Sequence, residues 1–430
     1  MSASVELFAN QDILICGMGV SGQAALRWFE CCSEARGVTT VADVDEVEGS
    51  FDVAVMSPGI APHTALFRSA IAAATELISE PELAWRVAPK TITWVAITGT
   101  NGKTTTVSLL THLLEGAGIA AVSVGNIGMP PTEALLRVAE GLLPSNIVFV
   151  CEMSSFQLEL SPTFAPGLAA VLNISPDHED WHGSFAAYRD AKLRLARQTG
   201  QAGGMVLWGE ELQGDEDLVS ELSLVGEHNR QNARVAIGLA RELGAADAAL
   251  VAGLRSFQAG PHRLQFVATR RGVDYYDDSK ATNPGAVLKA LTAFPDREIT
   301  LLVGGRNKGI DFCDFAAAAL PLVTRVLCFG EAGAELSEAF GAAARRYASM
   351  EEAVAAATEL TGLGGVVLLS PANTSWDQFA SYQERGRAFA QQVDALAEEA
   401  TLVELEDVAA GASATFAGAG DSAVRRAHVS

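Results

Sequence analysis

The sequence predicts an α/β protein with parallel sheets, divided into three domains. Short apolar runs, each closed by glycine or a polar turn, alternate with Ala- and Leu-rich stretches long enough for helices, which is the pattern of βαβ units. Two segments punctuate that alternation, "VAPKTITW" (87–94) and "SFQAGPHRLQ" (256–265). A chain of 430 residues also exceeds what one ordinary core organises. The domains are expected over 1–90, 91–259 and 260–400. From about 401 the chain is rich in small residues without apolar periodicity and is expected to be disordered.

Taken in order, "DILIC" (12–16) is the first strand, followed by Gly17, Gly19 and Gly22 and a helical stretch from Gln23. "VTTVAD" (38–43) and "DVAVMSPG" (52–59) continue the series. A new series starts with "TITWVAITG" (91–99), and apolar runs at 120–124, 146–151, 168–174 and 204–208 follow it. After Gly260 come two short alternating segments, "LQFVATRRG" and "VDYYDDS", then runs at 299–304, 323–329 and 365–370.

Composition narrows the class. Hydrophobic residues make up 49 % of the chain and charged ones 19 %, enough apolar material for sizeable cores. Lys+Arg 30 against Asp+Glu 52 leaves a net charge of −22. A polyanionic nucleic acid is therefore not an expected partner, whereas a local site for a small nucleotide is compatible. The six cysteines (Cys16, Cys31, Cys32, Cys151, Cys313, Cys328) lack metal-ligand spacing and are expected as buried apolar residues in a reducing compartment. With no leader pattern and no spanning apolar run, a cytoplasmic monomer without a membrane partner is expected.

The chemistry concentrates after strands. Gly99-Thr-Asn-Gly-Lys-Thr-Thr105 is a contracted form of the phosphate-binding loop G-x-x-x-x-G-K-[ST], set between the strand "WVAI" and a helix marked by Val107, Leu109, Leu110, Leu113 and Leu114. Backbone amides and the helix dipole then face phosphate oxygens, Lys103 neutralises their charge and the Thr104 hydroxyl suits Mg²⁺. Glu152, at the carboxyl end of the next buried strand, is either a holder of that metal or a solvated strand-end acid. Asp177, His178, Asp180 and His182 cluster after the following strand, as expected of a metal or phosphate site. Lys192, among apolar neighbours on a helix, reads by itself as a surface lysine with a snorkelling chain.

"GMGVSG" (17–22) fits G-x-G-x-x-G, with Asp43 further on after a strand. It is either a Rossmann-like anion site or a tight strand–helix turn with no ligand. The last domain supplies three polar clusters, "DDSKATNPGA" (277–286), "GGRNKGIDF" (304–312) and "SPANTSWDQFASYQERGRAF" (370–389), each after an apolar strand and before a helix. Lys280 and Lys308 suit substrate carboxylates or phosphates, and Thr282 and Ser375 offer hydroxyls.

These motifs together resemble the Mur ligase family of ATP-dependent amide-forming enzymes. The contracted G-T-N-G-K-T-T is similar to that family's phosphate loop. Asp278-Ser-Lys-Ala-Thr-Asn283, "SPGIA" (57–61), "GNIG" (125–128), "EMSSFQLE" (152–159), "GEHNRQNA" (226–233) and "PHR" (261–263) resemble the branch that joins D-glutamate to UDP-N-acetylmuramoyl-L-alanine. The resemblance covers about residues 11–393. It implies a Rossmann-like N-terminal domain, a P-loop ATPase-like central domain and a Rossmann-like C-terminal domain.

The resemblance also implies roles. Gly99, Thr100, Asn101, Gly102, Lys103, Thr104 and Thr105 would hold the ATP phosphates, and Asn232, Arg263 and Asp278 would contact ATP. Thr104 and Glu152 would serve one Mg²⁺, His178 and Lys192 a second, with Lys192 N-carbamylated. Lys280, Thr282, Lys308, Ser375 and Tyr382 would hold D-glutamate. Gly17, Gly19, Ser21, Gly22, Asn126 and Ser154 would meet the UDP-N-acetylmuramoyl-L-alanine substrate. Two departures stand out: "DVDEVEGSFD" (43–52) lacks a Thr-Arg pair found in some members, and the segment between Leu195 and Gly226 is short.

Overall fold

The computed structural model describes residues 6–42, 46–222, 224, 226–258, 260–307 and 309–396. Asp43, Lys308 and the expected disordered tail lie outside the described residues. The chain forms two compact units that meet between Gly260 and Pro261.

The first unit holds two parallel sheets. In the first, β1 (Asp12–Cys16), β2 (Gly37–Val41), β3 (Phe51–Met56) and β4 (Ala74–Ser79) run in the order β2-β1-β3-β4, with helices α1 (Val20–Cys32), α2 (Ala65–Ala73) and α3 (Glu80–Val87). Ile13, Leu14, Ile15 and Cys16 are buried on both faces of β1, which is why its apolar run is continuous rather than alternating. The chain steps to opposite sides of β1, leaving a crevice at the carboxyl ends of β1 and β3.

The second sheet comprises β5 (Thr93–Thr98), β6 (Ala121–Gly125), β7 (Val148–Glu152), β8 (Leu168–Val171) and β9 (Met205–Trp208), ordered β6-β7-β5-β8-β9 and parallel throughout. Its helices are α4 (Lys103–Gly116), α5 (Pro131–Ala139), α6 (Ser155–Glu159), α7 (Glu179–His182), α8 (Phe185–Gln201), α9 (Glu216–Val219), α10 (Glu227–Glu242) and α11 (Asp247–Ser256). Ser154 starts α6 with a reciprocal capping box to Gln157, and Ser184 caps α8. One hydrophobic cluster joins the two sheets, bringing Phe8, Ile13 and Trp28 together with Trp94, Phe149 and Phe164.

The second unit has one six-stranded sheet: β10 (Gln265–Arg270), β11 (Val273–Asp277), β12 (Ile299–Gly304), β13 (Arg325–Phe329), β14 (Ala344–Arg346) and β15 (Val366–Ala372), ordered β10-β11-β15-β12-β13-β14. Helices α12 (Pro284–Leu291), α13 (Cys313–Ala319), α14 (Gly333–Phe340) and α15 (Met350–Leu360) connect its strands, and α16 (Tyr382–Asp394) follows β15. The sheet is parallel except for β10, which pairs antiparallel with β11. The turn between them puts Arg271 (φ 51°) and Gly272 (φ 71°) in left-handed conformations, as a two-residue hairpin requires.

The sequence pattern omits β4 and β14. "ATELIS" follows α2 without a break in helix-forming residues, and its pairing with β3 overrides that local preference. β14 is three residues long with two of them exposed, too short to show alternation. The expectation for cysteines is corrected as well. Cys16, Cys151 and Cys328 are buried, but Cys31 and Cys313 are exposed and Cys32 is half-buried, because they lie at helix ends rather than within strands.

Candidate active site

The contracted loop leaves the buried end of β5 and enters α4. Gly102 takes φ 88°, and a Cβ there would stand 2.4 Å from Asn232 Oδ1, so the loop is pressed against α10 as only glycine allows. Gly99 also packs closely against the residue after β8, where a Cβ would meet Leu172 at 2.9 Å. No side chain caps the start of α4. Its first amides are thus available to an anion, and the helix dipole favours one there. Lys103 Nζ donates back to the carbonyls of Gly99 (2.7 Å) and Thr100 (3.0 Å). Thr105 is buried on the first turn of α4.

Glu152 stands at the end of β7, level with Ile97 of β5 and Gly125 of β6. The alternative of a solvated acid is excluded, since Glu152 is 2 % exposed. Its carboxylate accepts from Thr104 Oγ1 (2.8 Å) and from Asn126 Nδ2 (2.8 Å). A carboxylate and a hydroxyl meeting beside an uncapped helix N-terminus are hard oxygen donors of the kind Mg²⁺ selects, so these residues fit an ATP–Mg²⁺ group. Ser154 is committed to its capping box, two residues past Glu152.

Lys192 is not a surface lysine. It is 2 % exposed, and its Nζ donates to Gly99 O at 2.8 Å and lies 4.8 Å from the centre of the Tyr188 ring. Burial, followed by repulsion from Lys103, holds its amine well below the usual lysine range. Two lysine amines therefore converge on one carbonyl, that of Gly99.

The acidic–histidine cluster does not form a single cage. Among the described residues no three His, Cys, Asp or Glu side chains come together as a metal site. His178 is largely exposed, takes φ 52°, and lies 3.7 Å from Asp177 and against the Phe156 ring. Asp180 is exposed on α7. His182 packs among Phe156, Trp181 and Tyr188, and burial followed by the charges of His178 and Lys192 lowers its pKa to about 4. It is a neutral ring in an aromatic nest.

At the end of β1, Gly17 (φ 83°) accepts from Ser57 Oγ, and a Cβ on Gly22 would lie 1.9 Å from Gly17 O, so helix and strand touch. A cavity of about 350 Å³ opens there, lined by Gly19, Ser21, Ser57, Pro58, Gly59 and Thr64 among others. A tight turn and an open site coexist at the β1–β3 crevice.

In the second unit, Asp278 follows β11, buried, accepting from Leu264 N (3.1 Å) and Ser370 Oγ (2.7 Å). Burial raises its pKa to about 7, against the hydrogen bonds from Ser370 and Leu264. Arg263, whose charge also acts on Asp278, sits between His262 and Leu264, both in the left-handed region. Lys280 N donates to His262 O, Thr282 N to Lys280 O, and Lys280 Nζ lies 5.2 Å from the centre of the Tyr382 ring at the start of α16. Ser375 is buried in the turn after β15.

Comparison with known proteins bears on this arrangement. The family description "Mur ligase middle domain" matches residues 97–217, and "Mur ligase, glutamate ligase domain" matches 262–373. The chain is 37 % identical over 401 residues to the UDP-N-acetylmuramoylalanine–D-glutamate ligase of Thermobifida fusca, covering 80 % of this chain and 85 % of that one. The chain belongs to the Mur ligase family. This Mur ligase is also 34 % identical to the enzyme of the same name from Desulfitobacterium hafniense, over 89 % of this chain and 97 % of the other. It shares its fold with MurF ligase from Thermotoga maritima in complex with ADP (16 % identity, TM-score 0.56, 91 % and 96 % covered). A folylpolyglutamate synthase/dihydrofolate synthase from Yersinia pestis, complexed with AMPPNP and Mn, is similar at 17 % identity and TM-score 0.53, with 73 % and 92 % covered.

Three features of this Mur ligase escape a reading by motif. Asn173 clamps the phosphate loop in both directions, accepting from Asn101 N (3.0 Å) and donating to Asn101 O (2.9 Å). Tyr188 OH meets Thr100 Oγ1 at 2.9 Å. Arg385, fully buried, donates to Ser279 O (2.8 Å) and Asn373 O (3.2 Å), tying two of the polar clusters together. Asn173 had a signal, its place at a strand end beside the loop; Tyr188 and Arg385, each in the first turn of a helix, had none of their own.

Proposed function

We propose that the protein is an ATP-dependent ligase that joins D-glutamate to UDP-N-acetylmuramoyl-L-alanine in peptidoglycan precursor synthesis, in the cytoplasm. The observation that carries ATP use is the Thr104–Glu152–Asn126 hydrogen-bonded group beside the uncapped, lysine-bearing loop. The choice of substrates rests on relatives bearing that activity in their names at 33–37 % identity over most of the chain. In this reading 1–90 binds the UDP substrate at the Gly17–Gly22 turn, 91–259 binds ATP, and 260–400 binds the amino acid.

A carboxylate oxygen is a poor leaving group. The L-alanyl carboxylate is therefore first phosphorylated by ATP to an acyl phosphate, and the D-glutamate amine displaces phosphate to give the amide. Lys103 and the α4 amides hold the phosphates against their mutual repulsion. Thr104 and Glu152 would hold one Mg²⁺ and His178 and Lys192 a second, and when bound the ions would supply further charge neutralisation. Lys192 as an amine is a poor ligand for a hard cation. Its burial and lowered pKa favour the neutral form that reacts with CO₂, and the carbamate would present oxygens instead. Asn232, Arg263 and Asp278 are assigned to ATP, and Lys280, Thr282, Ser375 and Tyr382 to D-glutamate.

The test supplies UDP-N-acetylmuramoyl-L-alanine, ATP and Mg²⁺ with D-glutamate, L-glutamate, L-alanine or a diamino acid in turn. Product is expected with D-glutamate alone. Turnover with L-glutamate but not D-glutamate refutes the assignment, and phosphate release without any amino acid indicates a simple nucleotide switch. With ¹⁸O in the acceptor carboxylate, the acyl-phosphate route carries ¹⁸O into the released phosphate.

A further inference from the structure

Away from the phosphate loop, the first unit has a cavity of about 310 Å³ whose lining includes Trp28, Cys31, Cys32, Val87, Leu135 and Val138. It lies where three helices from the two sheets end. Cys31 and Cys32 close α1, Val87 closes α3, and Val138 and Ala139 close α5. Further back the same helices are tied together. Glu80, at the start of α3, accepts from Thr132 N at the start of α5 (2.7 Å), and Arg27 of α1 pairs with Glu133 (2.6 Å). Small residues such as Ala139 line the gap between the helix ends.

The wall is mostly apolar, with the Thr91 and Ser145 hydroxyls and the two thiols as its polar groups. Its volume falls in the range of small-molecule sites, which favour such junctions. The charge at its rim is negative. Helix carboxyl ends carry partial negative charge, and α1 has no basic residue in its last turn. Arg86 of α3 is engaged by Glu76 and Glu82, and Arg137 of α5 by Glu133. Glu140 follows α5 close enough to act on the Cys32 thiol. Lys90 is exposed and is not part of the lining.

We propose that this cavity is a second ligand site, distinct from the nucleotide and amino-acid sites, for a compact aromatic amine. The ring packs against Trp28, Leu135 and Val138, and the ammonium faces the helix ends and Glu140.

Cys31 and Cys313 are both exposed thiols, and only Cys31 lines the cavity. The experiment follows iodoacetamide alkylation of both in the full chain by peptide mass mapping, with 4-phenylbutylamine or 4-phenylbutyrate added. At about twice its dissociation constant the amine is expected to slow Cys31 alkylation about threefold, from simple occupancy, and to leave Cys313 unchanged. The carboxylate protects less. Ala139→Trp, filling the cavity from its exposed rim, abolishes protection, and Ser145→Trp, at another lining position, does so should the first variant fail to fold. No protection of Cys31, equal protection by the carboxylate, or protection retained in a folded filling variant overturns the proposal.

Discussion

Glu80 gives a pH dependence that can be worked from the structure. It is 2 % exposed, and its Oε1 accepts from both Thr132 N (2.7 Å) and Thr132 Oγ1 (2.5 Å). Burial outweighs those hydrogen bonds and raises its pKa from 4.5 to about 7. Because the folded chain holds this proton more tightly than the unfolded one, the stabilising contribution is complete below 4.5. It declines as pH rises and is lost above 7. The gap between 4.5 and about 7, at 1.36 kcal/mol per pH unit, comes to about 3 kcal/mol, most of which falls between pH 5 and pH 8. Glu80→Gln keeps the Oε1 acceptor and removes the titration. Urea unfolding of the full chain, followed at pH 5 and pH 8, is expected to show the variant gaining about 2–3 kcal/mol on the wild type between the two. A difference between variant and wild type that is the same at both pH values refutes the reasoning.

Three further outcomes are expected. Lys192→Ala is nearly inactive and is partly rescued by short carboxylic acids that restore oxygen ligands; wild-type turnover in the variant removes the carbamate assignment. Asn173→Ala releases the Asn101 clamp, and with about 1–3 kcal/mol at stake in buried hydrogen bonds the KM for ATP rises about tenfold while that for D-glutamate holds; equal KM values for ATP count against a loop-positioning role. Gly386→Ala forces a Cβ to within 2.0 Å of His262 Nδ1 and 2.4 Å of Asp277 Oδ2. Overpacking of that kind costs about 1–3 kcal/mol, seen as a lower melting temperature; an unchanged melting temperature counts against the close packing of α16 on His262.

The sequence by itself determined the strands that matter for the site, because a doubly covered parallel strand must be a continuous apolar run and each run ends in the turn that carries chemistry. It determined the phosphate loop for the same reason: glycine at positions 99 and 102 answers to backbone close approach, and that demand is local enough to read in a line. Tertiary structure alone decided what each loop meets. Lys192 reads as solvated from its neighbours on α8, and it is buried only because β5 and β8 bring Gly99 against it. Asp177, His178, Asp180 and His182 are adjacent in sequence, yet one short helix turn sends His182 into an aromatic nest and leaves Asp180 in water. Arg385 binds the carbonyls of Ser279 and Asn373, which lie 106 and 12 residues away along the chain. Burial and partnership between distant segments set charge state, and nothing in the order of residues records the solvent that folding removes.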